Sequence, residues 1–384
     1  MRTTISALMI MTTICSKHPV PLIYTDKHNH HHPPIEYFHH QLLPYAETPE
    51  RIRQIFARLT QTNLIEPVKV DEPISHEILC AVHDEGMVQA LERTSRNAAD
   101  LLADTTSYYQ AQISEDTYLY PSVFQVRSAM QRLRDVNPAG YYAFDVFAPI
   151  GHGTWCAVCH SAAVADTGAK RVIDGAPLVY ALCRPPGHHA GHDFIGGYCY
   201  INNAAIAAHR LLARGRVAII DLDYHHGNGT QSIFWDNPDV FFGSIHADPA
   251  HEYPYYAGYA DETGGPNAPD TNLNLPLPLN SDAATYHHAL VRLLDAVRAF
   301  DPATLVISLG FDTFIDDHLC AFNLTAGDYA QIGTLLTQLD RPTLLVQEGG
   351  YNVAAGGSLA EQVISGFVGL PIESAAGDGI YSHT

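Results

Sequence analysis

The sequence predicts a single α/β domain in which helices cover both faces of a mostly parallel sheet. Two observations predict it. Short apolar runs alternate with longer helical patterns along the second half of the chain, and the run at 217–220 ends in aspartates, histidines and a Gly-Asn-Gly turn. Such alternation is typical of parallel sheets, whose strands carry their chemistry at the carboxyl ends. No repeat, linker or low-complexity tract divides the chain.

Apolar runs, helical periodicity and capping residues define the individual elements. Thr48 followed by Pro49 is typical of a helix start. The His-rich tract at 28–34 is expected to be a loop that binds metal adventitiously and has no catalytic role, and the irregular stretch at 98–139 is expected to be a surface excursion. Strands are expected at 21–25, 178–183, 217–222, 240–245, 305–310 and 343–347, and helices at 49–59, 84–96, 154–169, 203–213, 283–300 and 326–339.

Composition restricts the partners and the compartment. The 384 residues carry 21 basic and 41 acidic side chains, a formal net charge of -20. This balance argues against nucleic acid, which needs clustered basic residues, and favours cationic ligands. Seven cysteines without framework spacing indicate free thiols in a reducing compartment, and the lone pair Cys156 and Cys159 is interpreted as structural. We therefore expect a cytoplasmic protein.

The N-terminus allows two interpretations. Its apolar stretch at 5–15 loosely resembles a signal peptide but lacks a cleavage site of small residues, and Met11 could equally be the true start. We assign residues 1–17 to an N-terminal extension of uncertain role and residues 18–371 to the domain. No run approaches the roughly 20 apolar residues of a membrane span, so no membrane partner is expected.

Metal-binding side chains follow two strands. Asp221, Asp223 and His225 stand at alternate positions, so an extended chain aims all three at one face. The alternative is that these acids only cap the next helix. A later strand brings Asp312 to the same edge of the sheet. With Asp223 and His225 it would form a donor set that leaves coordination positions open, as a catalytic zinc requires.

Two other strand ends carry candidate catalytic groups. A Pro-Pro-Gly turn presents His188 and His189 side by side, although isolated pairs of this kind are often surface histidines. The last predicted strand ends in Glu-Gly-Gly-Tyr. Its glycines allow the backbone to place Tyr351 over the site as a hydrogen-bond donor, and a buried aromatic after a turn is the alternative.

Several long motifs stand together in one order. They are GTW at 153–155, RPPGHHAG at 184–191, GGYCYINNAA at 196–205, DLDYHHGNGTQ at 221–231, SIHADP at 244–249, LGFDTF at 309–314 and EGGY at 348–351. In these stretches the chain resembles the histone deacetylase superfamily, and most of all its bacterial acetylpolyamine amidohydrolases. The resemblance implies a single arginase/deacetylase-like domain with a central, mostly parallel eight-stranded sheet flanked by helices.

The resemblance also implies the cofactors and the substrate-contacting residues. Iron(II) suits the same donors as zinc. The implied zinc ligands are Asp223, His225 and Asp312. The implied ligands of a structural potassium ion include Asp221, Ser244 and the carbonyl of Ile245. The implied tunnel residues are Gly197, Tyr198 and Tyr253.

The implied mechanism is attack of metal-activated water on an amide. His188 is expected to bond Asp221, and His189 to bond Asn228. Because a carboxylate favours imidazolium and an amide does not, we expect His189 to be the neutral general base and later the general acid, while His188 orients water and stabilises charge. Tyr351 is expected to donate to the developing oxyanion.

The substrate is expected to be a small cationic N-acetylated amine. Polyamine enzymes of the family tend to carry an acid at the tunnel rim, where this chain has Leu319. Glu115 or Asp116 is the candidate replacement, and all three are assigned to substrate binding. An acetyl-lysine protein deacetylase and, less well supported, a non-catalytic acyl-amine binder are the alternatives, whereas an arginase-type hydrolase would need two metals. A homodimer or higher homo-oligomer is expected.

Overall fold

A computed structural model describes residues 19–38, 41–98, 118–121, 123 and 138–370. The strands are β1 (Val20–Tyr24), β2 (Ile35–Phe38), β3 (Gln41–Pro44), β4 (Ile65–Lys69), β5 (Tyr118–Leu119), β6 (Ile150–Gly151), β7 (Leu178–Ala181), β8 (Val217–Asp221), β9 (Val240–Ala247), β10 (Asn272–Leu277), β11 (Thr304–Leu309) and β12 (Thr343–Gln347). The helices are α1 (Pro49–Thr60), α2 (His76–Cys80), α3 (Glu85–Arg96), α4 (Pro138–Tyr142), α5 (Thr154–Ile173), α6 (Asn203–Leu211), α7 (Asn228–Phe234), α8 (Ala283–Phe300), α9 (Ala326–Leu336) and α10 (Val353–Val368).

Eight strands form the central sheet, in the spatial order β10-β9-β8-β11-β12-β7-β1-β4. Every neighbouring pair is parallel, so the predicted fold class is confirmed. Strand β8 is buried along its whole length. Val217 and Ile219 pack into the core on one face, whereas Ala218 and Ile220 pack into the core on the other. Helices on both faces therefore explain why this strand has no polar alternation.

The sequence analysis missed both edge strands, β4 and β10. Each contains a proline, Pro67 or Pro276, and proline is tolerated where one side of a strand has no hydrogen-bonding neighbour. Side chains of both strands are partly exposed, so neither strand shows the apolar run that marks the central strands. The predicted bounds of α8 and β12, in contrast, agree with the structure.

The stretch after β1 differs from the expected loop. His28 and His31 are buried, and Nδ1 of His31 lies 3.0 Å from Oγ1 of Thr154. These two histidines are thus part of the folded interior, and adventitious metal binding by the tract stays a prediction. Strands β2 and β3 follow as an antiparallel hairpin outside the central sheet. The hairpin was not predicted because its strands are only four residues long.

Helix α10 also escaped prediction, because the pair Gly356-Gly357 disfavours a helix. The structure supplies the reason for the second glycine. A Cβ atom at Gly357 would lie 2.6 Å from Cβ of Arg58 and 2.9 Å from the carbonyl oxygen of Gln54. Glycine therefore allows α10 to touch α1.

The excursion at 98–139 is described only in part. Its strand β5 pairs with β6 in antiparallel orientation, whereas Glu115 and Asp116 lie outside the described residues, as does the extension at 1–17. The domain bounds 18–371 therefore stay a prediction. Among the helices that the structure describes, none has the length and apolarity required to span a bilayer.

Candidate active site

Three neighbouring strands, β8, β11 and β12, end at the same edge of the sheet. Ligand-type atoms of Asp223, His225 and Asp312 all lie within 4.8 Å of one another. Nδ1 of His225 is 3.2 Å from Oδ2 of Asp312 and 3.4 Å from Oδ1 of Asp223. The structure thus brings together the three side chains that the sequence analysis assigned to zinc.

Backbone amides orient both carboxylates. Asp223 accepts hydrogen bonds from the amides of Gly349 (2.8 Å) and His225 (2.9 Å), and Asp312 accepts one from Tyr224 (3.0 Å). A Cβ atom at Gly349 would lie 2.5 Å from Oδ2 of Asp312, so only glycine fits. Two fully buried carboxylates repel each other at this separation unless a proton or a cation compensates their charge. With one imidazole, they fit a divalent metal such as zinc or iron(II).

The paired histidines are held by two different partners. Their ring centroids are 3.9 Å apart. Nδ1 of His188 donates to Oδ2 of Asp221 at 3.1 Å, and Nδ1 of His189 donates to Oδ1 of Asn228 at 2.7 Å. The Asn228 amide is oriented by its donation to the Tyr256 hydroxyl at 2.7 Å. A neutral His189 therefore carries its proton on Nδ1 and its free lone pair on Nε2.

The two imidazoles also differ in charge. Burial opposes protonation of His188, but the carboxylates of Asp223 and Asp221 outweigh it and raise its pKa to about 10. Burial lowers the pKa of His189 well below its ordinary value, and the neighbouring His188 and His225 lower it further. His188 is thus the charged member of the pair and His189 the neutral one.

Glu348 anchors the turn that carries these histidines. Its Oε2 accepts hydrogen bonds from the amides of Gly187 (2.6 Å) and His188 (3.2 Å). Burial raises the pKa of this carboxyl group to about 7. The sequence analysis missed this contact because it used the Glu-Gly-Gly-Tyr motif only for its glycines and tyrosine.

Tyr351 is held at its backbone and at its ring. Asp317, which is buried, accepts hydrogen bonds from the amides of Tyr351 (2.6 Å), Asn352 (2.9 Å) and Leu319 (3.0 Å). The Arg51 guanidinium lies 4.8 Å from the centre of the Tyr351 ring. Neither Asp317 nor Arg51 was predicted, because no motif marks a residue that acts through the backbone of another.

A cavity of about 170 Å³ adjoins the metal-binding side chains. Four of the residues predicted to bind substrate line it with the groups of the reaction centre. Its lining includes Gly197, Tyr198, Tyr253, Leu319, His189, His225 and Tyr351. A Cβ atom at Gly197 would lie 2.4 Å from Cδ2 of His189 and 2.7 Å from the Tyr253 hydroxyl. Glycine at this position therefore keeps the cavity open.

Carboxylates stand behind or beside the aromatic walls. The Tyr198 hydroxyl donates to Glu36 at 2.8 Å, and the Tyr253 hydroxyl donates to Asp145 at 2.6 Å. Glu252 lines the cavity itself. None of these acids was predicted. Glu36 lies in the missed hairpin and Asp145 in no motif, whereas the position of Glu252 next to Tyr253 was a usable signal.

The residues assigned to potassium lie next to one another. Asp221 and Ser244 are register partners of β8 and β9, and Ile245 follows Ser244 in the same strand. All three are fully buried. Oγ of Ser244 lies 2.7 Å from Nδ1 of His246. Potassium binding at this position stays a prediction.

Comparison with known proteins places this geometry in a family. The family model described as "Histone deacetylase domain" matches residues 45–367. Acetylpolyamine amidohydrolase 2 of Pseudomonas aeruginosa is 42% identical over 91% of this chain and 98% of its own length. Acetylpolyamine amidohydrolase of Mycoplana ramosa is 37% identical over 91% and 99%.

A solved structure agrees with these sequence matches. The acetylpolyamine aminohydrolase from Burkholderia pseudomallei superposes with a TM-score of 0.81 at 34% identity, over 91% of this chain and 98% of that one. The described metal-binding side chains, the paired histidines and the tyrosine also stand on the motifs that suggested the resemblance. The chain therefore belongs to the histone deacetylase family and is a hydrolytic enzyme of its deacetylase type.

Proposed function

We propose that this protein is a metal-dependent amidohydrolase that removes acetyl groups from N-acetylated polyamines or similar small cationic amines. One observation carries the proposal: His225 of the metal-binding triad, a neutral imidazole and a tyrosine line a cavity whose aromatic walls are backed by carboxylates. Similarity along nearly the whole length of proteins named acetylpolyamine amidohydrolases supports the same substrate class.

Asp223, His225 and Asp312 would hold zinc, or iron(II), with no further protein ligand required. Bound there, the ion would polarise the acyl carbonyl and lower the pKa of water from 15.7 toward roughly 7. The neighbouring Asp221 and Ser244, together with the carbonyl of Ile245, are proposed to hold a structural potassium ion.

The remaining steps belong to side chains of the protein. His189 accepts a proton from the attacking water on Nε2 and passes a proton to the leaving nitrogen, since its pKa keeps it neutral beforehand. His188, held positive by Asp221 and Asp223, stabilises negative charge that develops nearby. Tyr351 donates a hydrogen bond to the acyl oxygen as that oxygen becomes negative.

The walls of the cavity favour a cationic aliphatic amine. Tyr198 and Tyr253 offer ring faces to methylene groups and to an ammonium group. Glu36, Asp145 and Glu252 place negative charge behind or beside those rings. The position where a rim acid was expected holds Leu319, and these acids supply negative charge from other positions. They support binding of a substrate that carries a second, charged nitrogen.

A comparison of kcat/KM among three substrates tests the proposal. Zinc-loaded protein is assayed with N-acetylputrescine, N-acetylcadaverine and a peptide that contains acetyl-lysine. We expect kcat/KM for the small amines to exceed that for the peptide by roughly ten-fold or more. The reverse order would identify a protein deacetylase, and binding of the amines without turnover would identify a non-catalytic acyl-amine binder. The Asp312→Asn variant serves as the metal-deficient control.

We further propose a cytoplasmic homodimer or higher homo-oligomer. Free thiols at all six cysteines that the structure describes support a reducing compartment. Exposed aromatic side chains, among them Tyr37 and Tyr255, lie near the cavity and are suited to contact a second copy. Light scattering during size-exclusion chromatography gives the molar mass, and a monomer at micromolar concentration would contradict this proposal.

A further inference from the structure

Asp145 contacts one aromatic wall of the cavity directly and the turn that precedes the other. Its Oδ2 accepts a hydrogen bond from the amide of Gly197 at 2.9 Å and one from the Tyr253 hydroxyl at 2.6 Å. Gly197 precedes Tyr198, which forms the other wall and has a φ of 66°. This left-handed conformation is unfavourable for a non-glycine residue and has to be held by its surroundings. One carboxylate therefore fixes the turn that presents one wall and the hydroxyl of the other.

The partners of Asp145 favour its ionised form. Its second oxygen accepts a hydrogen bond from the amide of Phe147 at 2.9 Å. In all three hydrogen bonds described for this side chain, the carboxylate is thus the acceptor. An ionised carboxylate is an acceptor only, and this environment satisfies it without a proton of its own. Burial raises the pKa of this carboxyl group, and the hydrogen bonds from Tyr253, Phe147 and Gly197 act in the opposite direction.

A phenol that donates to a carboxylate is a better partner for a cation than an isolated phenol. The hydrogen bond polarises the O–H group, and electron density increases in the ring. An ammonium group near the ring face then interacts with both the ring quadrupole and the carboxylate charge behind it. Tyr253 is placed for this role because its ring lines the cavity and lies 4.9 Å from the His189 ring.

We propose that Asp145 is a specificity-determining residue that selects cationic substrates through Tyr253 and the Gly197 turn. The inference rests on the proposed function and identifies the group that gives it charge selectivity. Asp145 contacts neither the metal-binding side chains nor the two catalytic histidines in the described hydrogen bonds. Its effect is therefore expected in substrate affinity and not in the cleavage step.

The test uses the isosteric variant Asp145→Asn and two substrates that share the same five-carbon chain. N-acetylcadaverine carries a distal ammonium, whereas N-pentylacetamide is neutral. The amide oxygen of asparagine can still accept from Tyr253 and Gly197, whereas its NH2 group cannot accept from the amide of Phe147. The neutral substrate therefore reports any change in the shape of the walls. We expect KM for N-acetylcadaverine to rise by roughly ten-fold with little change in kcat, while kcat/KM for N-pentylacetamide stays within roughly two-fold.

Two further variants sharpen the test. Tyr253→Phe removes the hydroxyl that reaches the carboxylate and is expected to reduce the ratio of the two kcat/KM values in the same direction. It also provides the measurement if Asp145→Asn fails to fold. Asp316→Asn removes one charge from an exposed acid three residues before Leu319. It is expected to leave the ratio unchanged.

The outcomes separate this inference from the function on which it rests. Equal losses for the charged and the neutral substrate in Asp145→Asn would show that the residue only braces the walls. Unchanged kinetics for both substrates would show that it has no part in substrate selection. Either result overturns the inference while the wild-type enzyme still cleaves N-acetylcadaverine. A wild-type enzyme that cleaves only the acetyl-lysine peptide would overturn the proposed function and the inference together.

Discussion

His188 and His189 have ring centroids 3.9 Å apart, yet their surroundings drive them to opposite charge states. The carboxylates beside His188 raise its pKa to about 10, whereas burial and the charge of His188 lower that of His189. Adjacent side chains thus supply a fixed positive charge and a neutral base.

Replacement of His189 by alanine should therefore abolish most turnover. Loss of a general base typically costs roughly 100-fold to 10,000-fold in kcat, and zinc content should stay normal because His189 is not a ligand. Both quantities are measured on the same preparation. Near-normal turnover in His189→Ala, combined with complete loss in His188→Ala, would exchange the roles assigned to the two residues.

Tyr351→Phe tests the oxyanion donor. The change removes one hydroxyl and leaves the ring between Tyr198 and Arg51. We expect kcat to fall by roughly 100-fold to 1,000-fold, as for other lost oxyanion donors, with little change in KM. Steady-state kinetics with N-acetylcadaverine give both constants. A rise in KM alone would show that the hydroxyl binds the ground state.

Asp317 should act as a positioning residue for Tyr351. Because its carboxylate holds the amides of Tyr351 and Leu319, Asp317→Ala should displace the phenol and lower kcat by up to roughly 100-fold. Asp317→Asn keeps one carbonyl acceptor and should recover part of the loss. Equal activities of the two variants, or a change only in melting temperature, would contradict positioning.

His83 should make stability dependent on pH. It is fully buried, with Nδ1 2.7 Å from the carbonyl of Gly191 and Nε2 accepting from the amide of Asn202, so only the neutral ring satisfies both partners. Burial lowers its pKa from 6.5 to about 4. As pH falls, the unfolded chain takes up the proton first. The stabilising contribution is thus present above pH 6.5 and is lost toward pH 4.

The expected loss is about 3 kcal/mol over that window. Thermal unfolding between pH 7.5 and 4.5 measures it, with His83→Gln expected to show a shallower dependence. His209→Gln, at an exposed position on α6, is the matched control and should follow the wild type. Identical slopes for all three proteins would refute the assignment.

Chelation should remove both activity and stability. The site leaves Asp223 and Asp312 close together and buried, so loss of the ion should lower the melting temperature as well as kcat. Elemental analysis is expected to give about one zinc per chain, because one triad of open geometry binds one ion. Two metals per chain would favour an arginase-type centre. Full activity after exhaustive chelation would remove the basis of the mechanism.

Most of the catalytic and metal-binding residues could be predicted from the sequence because they follow the ends of buried strands. Asp223, His225 and Asp312 follow apolar runs that can only be central strands, so their convergence follows from parallel topology. The hydrogen bonds of His188 and His189 were likewise expected. The convergence of the metal-binding side chains needed only the order of the motifs and the direction of the strands, whereas the partners of the two histidines followed from the family resemblance.

What the sequence did not reveal depends on contacts between distant segments. Glu36 reaches the Tyr198 hydroxyl only because a hairpin of unremarkable composition folds against the cavity. Asp145 reaches the Gly197 turn only because its loop packs there. Asp317 acts through backbone amides, which have no side-chain signature. Such contacts are decided by tertiary packing, which local pattern does not encode.

The catalytic groups lie at strand ends of the central sheet, whereas part of the cavity wall lies on a separate hairpin. This division affects how the substrate specificity of the enzyme can change. The groups that break the amide bond belong to the central sheet, whereas Glu36 and Phe38 sit on an appendage outside it. Insertions, deletions or exchange of residues 35–44 can therefore alter which molecules are admitted while the hydrolytic centre keeps its geometry. Exchange of this short segment between family members is a direct route to an enzyme with a different substrate specificity and the same hydrolytic mechanism.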